Sequence, residues 1–280
     1  MKRKSTWILS LGFALMMASC NNEDKSTASA NTDTTSKVFS AKEEEVTYNS
    51  GDKTMHSFVV YDQNKEGKRP AVLVIPEWWG INDYVKNRAR QLAQLGYIAI
   101  AVDMYGDGKV AATPDSAKAW AGPFYQDPAL GKARFDAALE KIKSYPQTET
   151  GVIGAIGYCF GGTMVLNAAK LGDDLKGVVS FHGGLAGVQP DKSKLKAEVL
   201  VCHGGADPFV PQSDVDQFKK QMDSVGAKYT FKVYEGATHA FSNPDATENG
   251  KKFNMPISYN AAADTASWKE MISFFDRVLK

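Results

Sequence analysis

The stretch that most limits what this chain can become is residues 152–171, VIGAIGYCFGGTMVLNAAKL. It opens as an apolar run, turns through Gly157-Tyr158-Cys159-Phe160-Gly161-Gly162, and leaves as a helical pattern. We read a buried strand, a tight elbow and a buried helix, with Cys159 at the apex. This is the G-x-S-x-G elbow with Cys in the place of Ser. A residue lifted out of a sheet on so sharp a turn leaves no room for side chains two positions away, which is where Gly157 and Gly161 stand. The helix begins just behind the sulfur, and its free N–H groups favour a thiolate there. The plainer alternative is a small core cysteine in an ordinary strand-to-helix turn. The partners found downstream decide between the two.

The rest of the chain alternates in the same way. Glu45–Tyr48 and Met55–Tyr61 pattern as strands around a Gly51-Asp52 turn. Apolar strands follow at 71–76, 97–102, 177–181, 198–203 and 229–234, and amphipathic helices at 83–95, 128–144, 212–224 and 261–278. Asp83 is the expected cap of the first helix. The Gly-, Pro- and Ala-rich stretch 106–128 reads as a covering loop, with at most a short helix near Asp115–Trp120. Strands alternating with helices predict an α/β fold with a mostly parallel central sheet and helices on both faces. With 280 residues, 43% of them hydrophobic, the chain can bury one sizeable core. A net charge of +1 gives no basis for nucleic-acid binding.

Residues 1–20 read differently. Lys2, Arg3 and Lys4 precede a short apolar run from Trp7 to Met17, and Ala18 and Ser19 precede Cys20. This is a secretory signal, and Met17-Ala18-Ser19-Cys20 resembles a bacterial lipobox, in which the cysteine is lipidated and becomes the mature N-terminus. An ordinary signal peptide with a cysteine near its cut site is the alternative. Residues 21–40 are polar and small and read as a disordered tether, leaving 41–280 as the folded domain. The expected protein is an exported bacterial lipoprotein on the periplasmic or cell-surface side of a membrane, held by lipid alone. Among the three cysteines this leaves Cys159 and Cys202. They could form a disulfide; we favour a nucleophile and a buried strand residue, because Cys202 ends the apolar run EVLVC.

In open α/β sheets function gathers at the carboxyl ends of the strands. Glu77, Cys159, Asp207 and His239 all lie there. The order Cys159, Asp207, His239 is nucleophile, acid, base. A thiol must lose its proton to attack a carbonyl, a histidine can take that proton and return it to the leaving group, and a buried carboxylate orients the imidazole. His182 and His203 also end strands and rank below His239 as the base, because neither follows the acid in the chain. His56 reads as structural. A zinc site is not expected, since Cys202 and His203 are strand neighbours facing opposite ways.

From Tyr48 to Lys280 the chain resembles the dienelactone hydrolase family of α/β-hydrolases. The resemblance rests on VIPEWWG, AVDMYG, GYCFGG, GGADPFVP, ATHAF and the closing helix with Trp268 and Phe275. It implies a Cys159-Asp207-His239 triad, a Glu77 that touches the resting thiol, and an oxyanion hole from the backbone N–H groups of Trp78 and Phe160. It implies ester or lactone hydrolysis through an acyl-enzyme, with no cofactor and no metal. Family members that hydrolyse dienelactone hold the substrate carboxylate with arginines. This chain has none between Asp103 and Ala133, and Asn243 stands where another would be. Lys109 and Lys118 are the cations left in the cover, beside Trp78, Trp79, Trp120, Phe124, Tyr125 and Phe241, about half of which should be core. The expected substrates are neutral esters or lactones. A binding lipoprotein without catalysis and a thiol redox protein are the rival readings.

Overall fold

The computed structural model describes residues 38–280. The signal segment, Cys20 and nearly all of the tether lie outside the described residues. The chain folds as β1 (Ala41–Ser50), β2 (Lys53–Asp62), β3 (Arg69–Ile75), α1 (Asp83–Gln94), β4 (Ile98–Ala101), α2 (Pro114–Gln126), α3 (Pro128–Lys143), β5 (Thr148–Tyr158), α4 (Phe160–Leu171), β6 (Gly177–Phe181), β7 (Glu198–Gly204), α5 (Gln212–Ser224), β8 (Tyr229–Tyr234), α6 (Ala246–Phe253) and α7 (Ala261–Val278). The strands form one sheet in the order β1-β2-β4-β3-β5-β6-β7-β8. β1 and β2 are antiparallel to their neighbours, and the other strands run parallel.

This order decides where the helices go. From β3 the chain steps one way to β4, then crosses back to β5 and continues through β8. Right-handed crossovers taken in opposite directions place their helices on opposite faces. The α1 residues Val85, Ala89 and Leu92 accordingly pack with Val72 and Val74 of β3. Residues of α3, α4 and α5 pack with Ala71, Leu73 and Ile75 on the other side. Successive side chains of β3 thus serve two cores, which is why the central strands read as continuous apolar runs. α7 closes the first face with Met271, Phe274 and Phe275.

The reversal between β3 and β5 opens a crevice at their carboxyl ends, the place where such sheets put their sites. Glu77 follows β3 and Cys159 follows β5. Two expectations are corrected. The cover is not a loop: Pro114–Gln126 is a helix of 13 residues, started by a capping box between Thr113 and Ser116. The cap of α1 is Asn82, whose side chain accepts from the Val85 N–H, and Asp83 is the first helical residue. A short helix, α6, lies between β8 and α7, where no element was assigned from the sequence.

Candidate active site

Cys159 takes φ 51° and ψ −114°, a backbone state that residues other than glycine rarely hold. The elbow is fixed by contacts on both sides. A Cβ on Gly157 would strike the Gly161 carbonyl, and one on Gly161 would strike the Ile75 and Pro76 carbonyls of the neighbouring strand end. Only bare backbone lets α4 start so close to β3. The Cys159 N–H is shared between the Phe181 carbonyl at 3.0 Å and His182 Nδ1 at 3.1 Å. It therefore points into the protein, while the N–H of Phe160 belongs to the first turn of α4, whose donors have no partner within the helix.

The loop after β7 supplies Asp207, and the loop after β8 supplies His239. His239 Nδ1 donates to Asp207 Oδ2 at 2.8 Å. The other carboxylate oxygen accepts the Phe209 N–H at 2.9 Å, so the carboxylate is held at both ends. Burial works against a charged His239. The adjoining Cys159 sulfur and the hydrogen bond to Asp207 outweigh it and hold the ring well above its usual pKa. The Phe209 ring stands edge-on to His239 with centroids 5.2 Å apart.

Glu77 is buried, and its Oε2 accepts from Asn243 Nδ2 at 2.6 Å. The family resemblance puts Glu77 on the resting thiol; the hydrogen-bond partner found here is the amide of Asn243. Burial raises the Glu77 carboxyl from 4.5 to about 7, against the pull of Asn243, His239 and Arg88. The Glu77 carbonyl accepts the Gly80 N–H at 3.1 Å, which fixes the peptide plane carrying the Trp78 N–H. Tyr105 Oη donates to the Trp78 carbonyl at 3.0 Å and fixes the next plane. The Trp78 and Phe160 N–H groups thus sit on clamped backbone at the two strand ends that flank the crevice.

These groups open into a cavity of about 720 Å³. Cys159, His239 and Glu77 line it with Trp78 and Trp79; α2 contributes Lys118, Gly122 and Tyr125, and residues 254–257 after α6 complete the lining. Of the six aromatic residues expected at the mouth, Trp78, Trp79 and Tyr125 line the cavity. Phe124 and Phe241 belong to the core, and Trp120 packs edge-on to Tyr105. Lys118 is an exposed cation on the rim; Lys109 pairs with Asp107 at 3.3 Å instead.

A sequence profile of the dienelactone hydrolase family matches residues 57–279. The chain belongs to the dienelactone hydrolase family. It is accordingly an α/β-hydrolase by fold and a hydrolase by activity, as expected from GYCFGG and ATHAF. The solved structure of a dienelactone hydrolase-like promiscuous phosphotriesterase from metagenomic libraries is similar at 33% identity and a TM-score of 0.81, covering 86% of this chain and 99% of that one. A sequence named "Putative carboxymethylenebutenolidase" from Methylorubrum extorquens is 29% identical over 220 residues, 75% of this chain and 72% of the relative. Protein usf of Aquifex pyrophilus is 29% identical over 215 residues, 75% of this chain and 89% of the relative.

Within this family member the remaining sequence candidates separate cleanly. Cys159 and Cys202 are both free thiols. Cys202 is fully buried, accepts from Tyr234 Oη at 3.6 Å, and is pushed up to about 12 by burial. His203 packs against Phe231 and is held below its usual pKa by burial. His182 is fully buried and bonded on both ring nitrogens. No group of His, Cys, Asp and Glu among the described residues is arranged to hold a metal ion. Sequence reasoning missed Ser242 and the 254–257 segment, and took Asn243 only as a missing arginine. No motif marks these positions, because they join the site through the fold of the segment after β8.

Proposed function

We propose that this hydrolase cleaves neutral carboxylic esters or lactones through a Cys159-His239-Asp207 triad. The observation that carries the reading is the 2.8 Å bond from His239 Nδ1 to the buried Asp207 carboxylate, with Cys159 on the same imidazole at a strained strand end. His239 takes the thiol proton, and the thiolate attacks the substrate carbonyl carbon. The oxyanion is received by the Trp78 and Phe160 N–H groups. The tetrahedral adduct expels the alkoxide, which takes the proton from His239, leaving a thioester on Cys159. Water, deprotonated by His239, then releases the acid and restores the thiol. Asp207 holds the proton on Nδ1 so that Nε2 faces the sulfur. The cavity favours neutral substrates because its lining is largely aromatic and aliphatic and presents no arginine.

The test is an intact-mass measurement after rapid quenching with an activated aryl ester. An acyl adduct mapped to Cys159 is expected, and Cys159→Ala should give neither adduct nor turnover. Undiminished hydrolysis by Cys159→Ala overturns the mechanism. A panel of esters, lactones and neutral phosphotriesters, the last named for the metagenomic relative, would rank the substrate classes. A higher kcat/KM for a carboxylate-bearing lactone than for its neutral analogue would reject the neutral preference and point to Lys118. We further propose that the domain acts as an exported lipoprotein anchored through Cys20, on the strength of residues 1–20.

A further inference from the structure

His182 contributes no group to the proton transfers above, yet its ring bridges the nucleophile's backbone and Ser242. Its Nδ1 accepts the backbone N–H of Cys159 at 3.1 Å, and its Nε2 lies 2.7 Å from Ser242 Oγ. An imidazole nitrogen that accepts carries no proton, so the proton is on Nε2 and is donated to Ser242. Ser242 Oγ is bonded in turn to Tyr84 Oη at 2.8 Å, and its carbonyl accepts from Arg88 at 2.7 Å. Arg88 is paired with Asp264 on α7. His182, Ser242, Tyr84 and Arg88 are all buried. The His182 backbone is itself unusual, with φ 41°, and its N–H is fixed to the Cys202 carbonyl at 2.8 Å. Phe241 stands edge-on to the ring with centroids 5.1 Å apart.

A non-glycine residue at positive φ persists only where its surroundings over-determine it. The Cys159 N–H is held by the Phe181 carbonyl and by the His182 ring nitrogen. We propose that His182 is a positioning residue for hydrolysis: its Nδ1 holds the Cys159 backbone in the strained state that aims the sulfur, and Ser242 holds the ring in the tautomer able to do so. The proposal rests on Cys159 being the nucleophile. Ser242 and Asn243 then act as one device, since the first fixes His182 behind the sulfur and the second fixes Glu77 in front of it. The His182 ring stays neutral beside His239, because burial, His239 and Arg88 all disfavour its charge. It is therefore available as an acceptor throughout turnover.

The test compares two replacements of similar polarity. In His182→Asn the amide oxygen can take the place of Nδ1; in His182→Gln the side-chain amide reaches toward Ser242 and leaves the Cys159 N–H without its second acceptor. We expect His182→Asn within a few-fold of the parent and His182→Gln down by about 10–100-fold in kcat, the scale of a misplaced reacting atom. KM should change less than kcat in both. Equal activity of the two variants, high or low, when both have the circular dichroism of the parent, overturns the proposal. Ser242→Ala covers the case in which neither replacement folds: it leaves His182 in place and frees its ring. Its kcat should fall several-fold at nearly constant KM, and an unchanged kcat overturns the proposal. Acyl trapping on Cys159 in the parent is read separately. Its failure would remove the nucleophile, whereas its success beside indistinguishable Asn and Gln variants would remove only the positioning role.

Discussion

Asp207 spends one oxygen on the Phe209 N–H and the other on His239, so its geometry is set by the backbone as well as by its partner. In Asp207→Asn an amide N–H can face Nδ1 and favour the wrong tautomer. We expect kcat to fall by about 10⁴-fold, while Cys159→Ala and His239→Ala fall further because the triad acts as a unit. Ester-hydrolysis rates on variants of unchanged circular dichroism check this. A near-normal His239→Ala beside a dead His203→Ala would show that the base was misassigned. Glu77 gives a second prediction at the same scale. Unfolding returns its carboxyl from about 7 to the ordinary 4.5. The stability gained from the neutral form is complete below pH 4.5 and is lost as pH climbs to 7, leaving an ionised buried group that costs about 3 kcal/mol above that. Glu77→Gln remains neutral and still offers Asn243 an acceptor. In urea unfolding it should exceed the parent by up to about 3 kcal/mol at pH 8 and match it at pH 4. The same variant should lower turnover and alter the reactivity of Cys159 with iodoacetamide. Equal stability differences at both pH values would show that Glu77 does not titrate in this range.

Two glycines set the energetics of the elements around the cavity, with opposite signs. Gly161 lies where α4 meets the end of β3, and a methyl there would strike the Ile75 and Pro76 carbonyls. Gly161→Ala should destabilise by about 1–3 kcal/mol through overpacking, and should lower kcat by shifting the elbow. Gly122 lies within α2, and a Cβ there would meet nothing within 4 Å. Gly122→Ala should stabilise by up to about 1 kcal/mol through helix propensity. Paired urea melts decide both. The elbow was legible because its glycines are dictated by backbone approach, which leaves a fixed spacing in the sequence. α2 was not, because its Gly and Pro content resembles a loop. Its start signal was nonetheless present in Thr113-Pro114-Asp115-Ser116, and Ala117, Ala121 and Phe124 recur on its buried face. Asn82 lost to Asp83 in the reading for a simpler reason: adjacent Asn and Asp are equally good caps, and only the backbone decides which one stands outside the helix.

At the scale of the whole molecule, the strand order brings together residues that the sequence holds far apart. The reversal at β3 puts Glu77 beside the nucleophile's strand, and the loops after β7 and β8 deliver Asp207 and His239 to the same end of the sheet. That much follows from order alone. The link from Ser242 through His182 to Cys159 does not, because it depends on two side chains and a backbone N–H from three loops meeting in one place. Attachment to a membrane is a separate matter from this architecture. No helix among the described residues is long and apolar enough to cross a bilayer. The anchoring we propose rests on acyl chains at Cys20. Each buried methylene contributes about 0.8 kcal/mol, yet one chain alone gives only marginal and reversible binding, so stable attachment needs more than one. Cys20→Ala should move the protein from the membrane fraction to the soluble fraction, or leave it unprocessed, with its specific esterase activity intact. Mass spectrometry of the mature N-terminus of the parent should show a lipidated Cys20. A lipid-free N-terminus would rule out the anchor while leaving the hydrolase and its cavity as described.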